Sequence, residues 1–316
     1  MFSIVIPLYN KEQRIKNTIQ SILNQSFQDF EILVVNDGST DGSIEEVQKF
    51  SDKRIRIISQ KNAGVSAARN TGIENARYEW VAFLDADDLW EKDFLKEISV
   101  AILKYSDTSI FATGRSTARN CKILRYQNPY LPKDGETDYI NFFENLAKFD
   151  CPITSSSVVI KKVLFSEKGF FKTGQRNYED VDLWIRLCVN ENVVVVNKPL
   201  AIYVIQEGES ASKLGYTSQD CVRMLNTYLE VRDKLKSNED KRNLKAFYER
   251  HCNMVVLRFF NQYEKRERKE ILRLMSEILE RGEYYKLKII QMFGFRGVIL
   301  FAKRIKSRLL QMKGSS

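Results

Sequence analysis

The sequence predicts an α/β protein with a mostly parallel sheet flanked by helices, followed by a helical C-terminal region. Three observations carry that expectation. Short apolar, β-branched runs at 2–6, 31–35, 56–58 and 80–84 alternate with stretches of helical spacing. The links between them are short, which implies parallel strands joined by helical crossovers. Each run also empties into a polar, glycine-bearing or acidic loop, and in open α/β sheets ligands bind at the carboxyl ends of strands.

The elements follow in order. Residues 2–6 read as a buried strand stopped by Pro7. Ile15, Ile19, Ile22 and Leu23 then give one apolar face to a helix over 11–24. The strand 31–35 runs into a loop of turn formers, Asn36 to Ser43, whose last residues can cap a helix over 44–50. After the strand 56–58, residues 60–70 read as a loop entering a helix that ends near Gly72. The strand 80–84 delivers Asp85, Asp87 and Asp88 to one place, and Asp88 can cap a helix over 89–103. Further on, 108–113 and 155–160 read as strands and 115–132 as irregular chain. Leu183, Trp184 and Leu187 recur at helical spacing, so Asp180 sits near a helix start, where the helix dipole stabilises a carboxylate.

The strand ends suggest a chemistry. Three carboxylates that close repel one another and are costly to bury unless a cation or a polyhydroxyl ligand sits among them. Hard oxygen donors suit Mg²⁺ or Mn²⁺ holding a substrate's phosphates. Tyr9 offers a ring to stack on a base, and Asp37 offers a carboxylate to accept from a base N–H. These are the parts a nucleoside diphosphate requires. No G-x-G-x-x-G follows the first strand and no Walker loop occurs, so the dinucleotide and P-loop readings lose support.

The runs Ile4 to Asn10, Ser21 to Ile32, Val34 to Asp41, Asn62 to Asn70 and Phe83 to Asp88 together resemble the family 2 glycosyltransferases with the GT-A fold. The likeness is nearly unbroken from Phe2 to Trp90. It implies that Tyr9 stacks on the uracil of a UDP-sugar, that Asp37 bonds the uracil edge and that Arg69 lies near the base and phosphates. Asp85 would bond the ribose, and Asp87 would ligate the Mn²⁺ or Mg²⁺ that bridges the diphosphate. Pro7, Asn62 and Ala86 lie in the same motifs and are expected at the donor. Asn36 stands where many relatives have Asp, which keeps an acceptor and drops a charge.

A second signature of that family resembles Glu179-Asp180 followed by Asp182-Leu183-Trp184. The resemblance implies that Asp180 is the catalytic base and that Glu179 positions a loop or the acceptor hydroxyl. Capping physics alone would equally accept Asp180 as a helix cap. Many relatives carry a His where this chain has Gln206, so metal affinity or choice is expected to differ. The implied reaction is an inverting, metal-dependent transfer from a UDP-sugar to a glycan or lipid-linked acceptor in surface polysaccharide assembly, by a hexosyl- or N-acetylhexosaminyltransferase. Two rivals stand beside it, a nucleotidyltransferase on a similar sheet and a non-catalytic nucleotide-sugar-binding scaffold.

The charge is uneven. The 316 residues carry a net +9, yet residues 215–316 hold 23 Lys and Arg against 12 Asp and Glu. The resemblance implies a catalytic domain over 1–210, which the charge count makes near neutral, and the excess falls in a basic helical region over 211–316, with about three helices before Tyr285. In the tail, Val298, Ala302, Ile305, Leu309 and Met312 form one helical stripe, with Arg296, Lys303, Arg304 and Arg308 largely off it. A basic amphipathic helix suggests peripheral contact with an anionic membrane, against the alternative of a helix docked with its charges in water. No nucleic-acid-binding motif supports a nucleic-acid partner. No run approaches a membrane span. Five scattered cysteines without C-x-x-C spacing favour reduced thiols and no structural zinc. The first strand starts at Phe2, leaving no room for a signal peptide, and the expected location is the cytoplasm at the inner face of the cell membrane.

Overall fold

The computed structural model describes residues 1–120, 122–175, 177–205, 217–258, 262–280 and 284–285. The expectations for Gln206 and for the stripe from Val298 to Met312 fall outside them. Among the described residues one sheet of ten strands forms the frame. Its first half is parallel, in the order β3 (Ile55–Ser59), β2 (Phe30–Asn36), β1 (Phe2–Leu8) and β4 (Trp80–Phe83). The crossovers are α1 (Ile15–Leu23), α2 (Ser43–Gln48) and α3 (Val65–Asn75). Because these strands run the same way, the loops after β1, β2, β3 and β4 gather at one edge.

The sheet continues through β9 (Val158–Lys161), antiparallel to β4, then β6 (Ile110–Arg119), β10 (Val193–Val204) and β5 (Leu89–Trp90). The strands β7 (Lys122–Arg125) and β8 (Thr137–Ile140) pair with β6 and β10 respectively. Helices α4 (Phe94–Lys104), α5 (Phe142–Lys148), α6 (Val163–Lys168) and α7 (Glu179–Leu187) cover it. Three more, α8 (Ser218–Val231), α9 (Asn238–Arg258) and α10 (Lys265–Ile278), follow in the described C-terminal region.

Strand alternation splits the core in two. Ile4, Ile6, Ile32 and Val34 face α1 and α4 in one apolar cluster. Val5, Leu33, Val81 and Phe83 face the other way, in a cluster that includes Trp184 of α7, Leu225 of α8, Tyr248 of α9 and Leu274 of α10. The C-terminal helices therefore share a core with the sheet. None of the described helices is long and apolar enough to cross a membrane. The described cysteines Cys151, Cys188, Cys221 and Cys252 are buried thiols.

Several local expectations are corrected by tertiary contacts. Pro7 does not stop β1, which pairs with β2 through Leu8. Val5 accepts from the Leu84 N–H on the β4 side, and by alternation Pro7 faces that same side, beyond the last β1–β4 pair, so its missing N–H forfeits no ladder bond. Gly72 lies inside α3 rather than at its end. A Cβ there would meet Val5 Cγ1 at 2.2 Å, so the glycine permits close packing of α3 on β1.

No helix starts at Leu89. Leu89 and Trp90 pair with Ile202 and Ala201 of β10, Trp90 Nε1 donates to the Ser156 carbonyl at 2.7 Å, and α4 begins at Phe94. The 115–132 stretch is partly ordered, with β6 running to Arg119 and β7 returning along it. Residues Ser155–Ser157 form a 3₁₀ turn before β9.

Candidate active site

Two clefts open at the carboxyl edge of the parallel strands and share the residues Arg69, Asp85, Glu179 and Tyr203. The first collects the residues expected at a donor. Pro7 and Tyr9 come from the end of β1, Asp37 from the end of β2, Asn62 from the loop after β3, and Asp85, Ala86 and Asp87 from the end of β4. Tyr9 is 48% exposed, a free ring face at the wall of a cleft. Asp37 is buried and organises that wall. Its carboxylate accepts from Gln60 Nε2 at 2.7 Å and from the Ala63 and Gly64 amides at 2.9 and 2.8 Å. Gly38, at φ 74°, lets the β2 loop approach Asn62, whose amide nitrogen would lie 3.0 Å from an added Cβ.

Arg69 is the link between the two clefts. Rising from α3 with its side chain 4% exposed, it donates from Nη2 to Asp85 Oδ1 at 2.7 Å and from Nη1 to Glu179 Oε1 at 3.2 Å. Its guanidinium lies over the Phe171 ring at 5.2 Å. The charge of Arg69 is thus held between β4 and α7, and among the described residues Arg69 Nε has no hydrogen-bond partner.

The second cleft is lined by Asp180 and Tyr178 at the start of α7, Arg115 and Thr117 of β6, Ser155 and Ser156 of the 3₁₀ turn, and Asp88. Asp180 is the second residue of α7, and the capping position belongs to Tyr178. Burial raises the proton affinity of Asp180, with Arg69 opposing the rise. Glu179 is pushed up to about 7, by burial first and by the Asp180 charge second, again against Arg69. Two adjacent carboxylates thus have raised proton affinity, Glu179 bonded to Arg69 and Asp180 only within reach of its charge, which suits proton transfer in a cleft.

The acidic run divides its labour. Asp85 takes Arg69, and Asp87 takes Lys11, whose Nζ lies 2.7 Å from Oδ2. Asp88 is buried, accepting from Ser156 Oγ at 2.5 Å and from the Val204 amide at 3.1 Å, so it ties β4 to the 3₁₀ turn and β10 rather than capping a helix. Burial, followed by the Asp85 charge, raises its pKa strongly. A divalent cation on a bound diphosphate fits these residues. Asp87 is a third exposed in the cleft and already faces a positive charge. One carboxylate plus phosphate oxygens is a donor set Mg²⁺ accepts. Among the described residues no group of three or more His, Cys, Asp or Glu forms an all-protein cage, so such a cation would depend on the substrate's oxygens.

Sequence reasoning missed Lys11, Arg115 and Tyr203 as cleft residues. The small serines beside the 155–160 strand are legible as a surface suited to an approaching sugar, and Ser155 and Ser156 line the second cleft. Arg115 is fixed by tertiary contacts, stacked 3.7 Å over the Tyr126 ring and donating to the Cys151 carbonyl at 3.2 Å.

Residues 3–157 match the family model described as Glycosyl transferase family 2. The chain carries a family 2 glycosyltransferase domain. The glycosyltransferase GlyA of Streptococcus pneumoniae is 33% identical over 218 residues, covering 65% of this chain and 31% of GlyA. The Escherichia coli protein named UDP-Glc:alpha-D-GlcNAc-diphosphoundecaprenol beta-1,3-glucosyltransferase WfgD is 28% identical, covering 62% of this chain and 73% of WfgD. The chain thus spans about a third of the length of GlyA. Among solved structures, S. aureus TarS 1-349 in complex with UDP-GlcNAc superposes with a TM-score of 0.71 at 21% identity, covering 88% of this chain and 80% of that one. That likeness establishes the GT-A fold. The match to the family 2 model covers the first cleft except Glu179 and Tyr203, takes in the 3₁₀ turn, and ends before Glu179 and Asp180.

Proposed function

We propose that the protein is an inverting, metal-dependent glycosyltransferase that moves a sugar from a UDP-sugar to a hydroxyl of a glycan or lipid-linked acceptor in surface polysaccharide assembly. The observation that carries the reading is the meeting of the two clefts at Arg69, with the donor residues on one side and Asp180 on the other. A leaving group held in the first cleft and a nucleophile approaching from the second give displacement from opposite faces of the anomeric carbon. WfgD, by its name, acts with UDP-Glc on a diphosphoundecaprenol-linked sugar, and TarS was solved with UDP-GlcNAc. Both support a UDP-sugar donor here, and WfgD supports a lipid-linked acceptor.

In this reading Tyr9 stacks on the uracil, Asp37 and Asn62 border the base, Pro7 and Ala86 shape the pocket, and Asp85 holds the ribose. Asp87 would hold the Mn²⁺ or Mg²⁺, which when bound supplies Lewis-acid neutralisation of charge on the departing UDP. Arg69 keeps Asp85 and Glu179 in place between the clefts. Asp180 takes the proton from the acceptor hydroxyl as that oxygen attacks. One base facing one leaving group suffices for this inversion, where a glycosidase needs two carboxyls flanking the bond. The protein would act at the inner face of the cell membrane, where lipid-linked acceptors are presented.

The test is a screen of UDP-sugars for release of free UDP, with and without Mn²⁺. Pyrophosphate in place of UDP would establish the nucleotidyltransferase rival, and tight UDP binding without turnover across donors and acceptors would establish the scaffold.

A further inference from the structure

Tyr178, immediately before Glu179 and Asp180, has left-handed backbone at φ 61° and ψ 16°. That region is uncommon for a bulky side chain and persists only where surrounding structure fixes it. The fixing surface comes from α9, more than seventy residues later in the chain. The Tyr178 ring meets the His251 imidazole edge to face, with centroids 4.4 Å apart, and its hydroxyl lies 3.4 Å from Nδ1. His251 is buried and backed by Phe247 at 5.0 Å. Burial, then the Arg250 charge, lowers its pKa to about 4, so a neutral ring packs there at ordinary pH.

A second grip comes from α8. Asp182, one of the most buried carboxylates of α7, accepts from Arg186 Nε at 2.9 Å, from Lys172 Nζ at 3.1 Å and from Thr227 Oγ1. Thr227 belongs to α8, and Lys172 also reaches Thr227 Oγ1 at 2.9 Å and Glu230 Oε2 at 3.3 Å on the same helix. The first turn of α7 is therefore held from α9 at the residue before Glu179 and from α8 at Asp182. Glu179 and Asp180 lie between the two grips.

We propose that α8 and α9 are the positioning device for the base, with His251 and Thr227 fixing the turn that aims Asp180 into the second cleft. The inference rests on the reading of Asp180 as base. Its physical content is directional. If Tyr178 relaxed to extended backbone, the chain would enter α7 along a different path, and both carboxylates would turn with it. The residues expected at the base and ribose come from β1, the loops after β2 and β3, and the end of β4, and the first cleft meets the gripped turn only through Glu179 and its Arg69 partner, so UDP affinity should change far less than kcat. His251 and Thr227 are thus positioning residues, acting through Tyr178 and Asp182.

The experiment uses the full chain with His251→Ala, His251→Phe and Tyr178→Gly. Three quantities are read: UDP affinity by calorimetry, melting temperature, and kcat for UDP release from UDP-GlcNAc or the best donor of the screen. Displacing a reacting group by about 1 Å can lower a rate by about 10²-fold, so kcat of His251→Ala should fall about 10- to 100-fold. UDP affinity should stay within about twofold of wild type, since only transition-state positioning is lost. His251→Phe keeps a ring against Tyr178 and should recover most of the rate. Tyr178→Gly tolerates the positive φ but has no ring to be gripped, and should fall like His251→Ala.

The proposal is overturned if the Ala and Gly variants keep wild-type kcat while melting lower, or if UDP affinity falls in step with kcat. Should His251→Ala fail to fold, His251→Phe and Tyr178→Gly decide by the same criteria. Wild-type protein that neither binds nor releases UDP overturns the transferase reading itself, and this inference with it.

Discussion

Glu179 offers a direct measurement of the electrostatics between the clefts. Its side chain is 15% exposed, shares Arg69 with Asp85 and stands next to Asp180. Burial and the Asp180 charge push its pKa from the ordinary 4.5 up to about 7. A carboxyl with a raised folded-state pKa binds its proton more tightly folded than unfolded. Its contribution is therefore fully present below about pH 4.5 and is lost as pH rises through about 7. At about 1.4 kcal/mol for each pH unit, that window takes about 3 kcal/mol from the folded state. Glu179→Gln has no proton to lose and so lacks this slope, while keeping an acceptor for Arg69 Nη1. Urea unfolding of both proteins at pH 5 and pH 8 tests it. The stability difference, variant minus wild type, should grow by about 2–3 kcal/mol between those pH values. A difference that stays constant within about 0.5 kcal/mol would refute the reasoning, because Glu179 would then be titrating like a solvated carboxylate.

Asp180→Asn keeps shape but cannot accept a proton, so transfer should fall by about 10²–10⁴ while UDP affinity is retained; a variant that loses stability and keeps its rate per folded molecule would reduce Asp180 to a structural role. Asp87→Asn should remove most activity and leave the melting temperature near wild type, since the carboxylate lies in an open cleft; chelation should do the same to the wild type, and full turnover in excess chelator would sink the metal-dependent reading. Gly72→Ala sets a methyl into Val5, and the overpacking should cost about 1–3 kcal/mol in denaturant unfolding. Truncation after Gly294 should spare transfer to soluble acceptors and weaken pelleting with anionic vesicles, an association that should also fade above about 0.1 M salt; full-length protein that ignores such vesicles at low salt would exclude the membrane role.

How much of this was legible depends on the range of the contacts involved. The donor edge could be read because each of its parts ends a local strand signal. Tyr9, Asp37 and Asp85 to Asp88 follow apolar runs directly, and parallel topology alone brings such ends together. The second cleft could not be read this way. Arg115, Ser155, Asp180 and Tyr203 lie on four elements far apart in sequence, and the β6–β10 pairing that unites two of them is set only by the folded sheet. The same contest decided Leu89 and Trp90, whose helical spacing lost to pairing with β10 and to the Trp90 bond to Ser156.

Asp88 shows why a motif declares chemistry without assigning tasks. Capping is the local role open to an acidic residue before a helical run, and it requires a helix start whose first amides the side chain can reach. None follows Asp88 once β5 forms, and Asp88 is enclosed between β4, β10 and the 3₁₀ turn. Three carboxylates in four residues then take three different partners: an arginine from α3, a lysine from the β1 loop, and a serine with a backbone amide. Asp85 and Asp87, which open to the first cleft, are held by side-chain cations, while Asp88, buried at the wall of the second, is held by dipoles. Exposure, a property of the fold, thus separates a carboxylate free to meet a substrate or a metal from one that holds the cleft in shape.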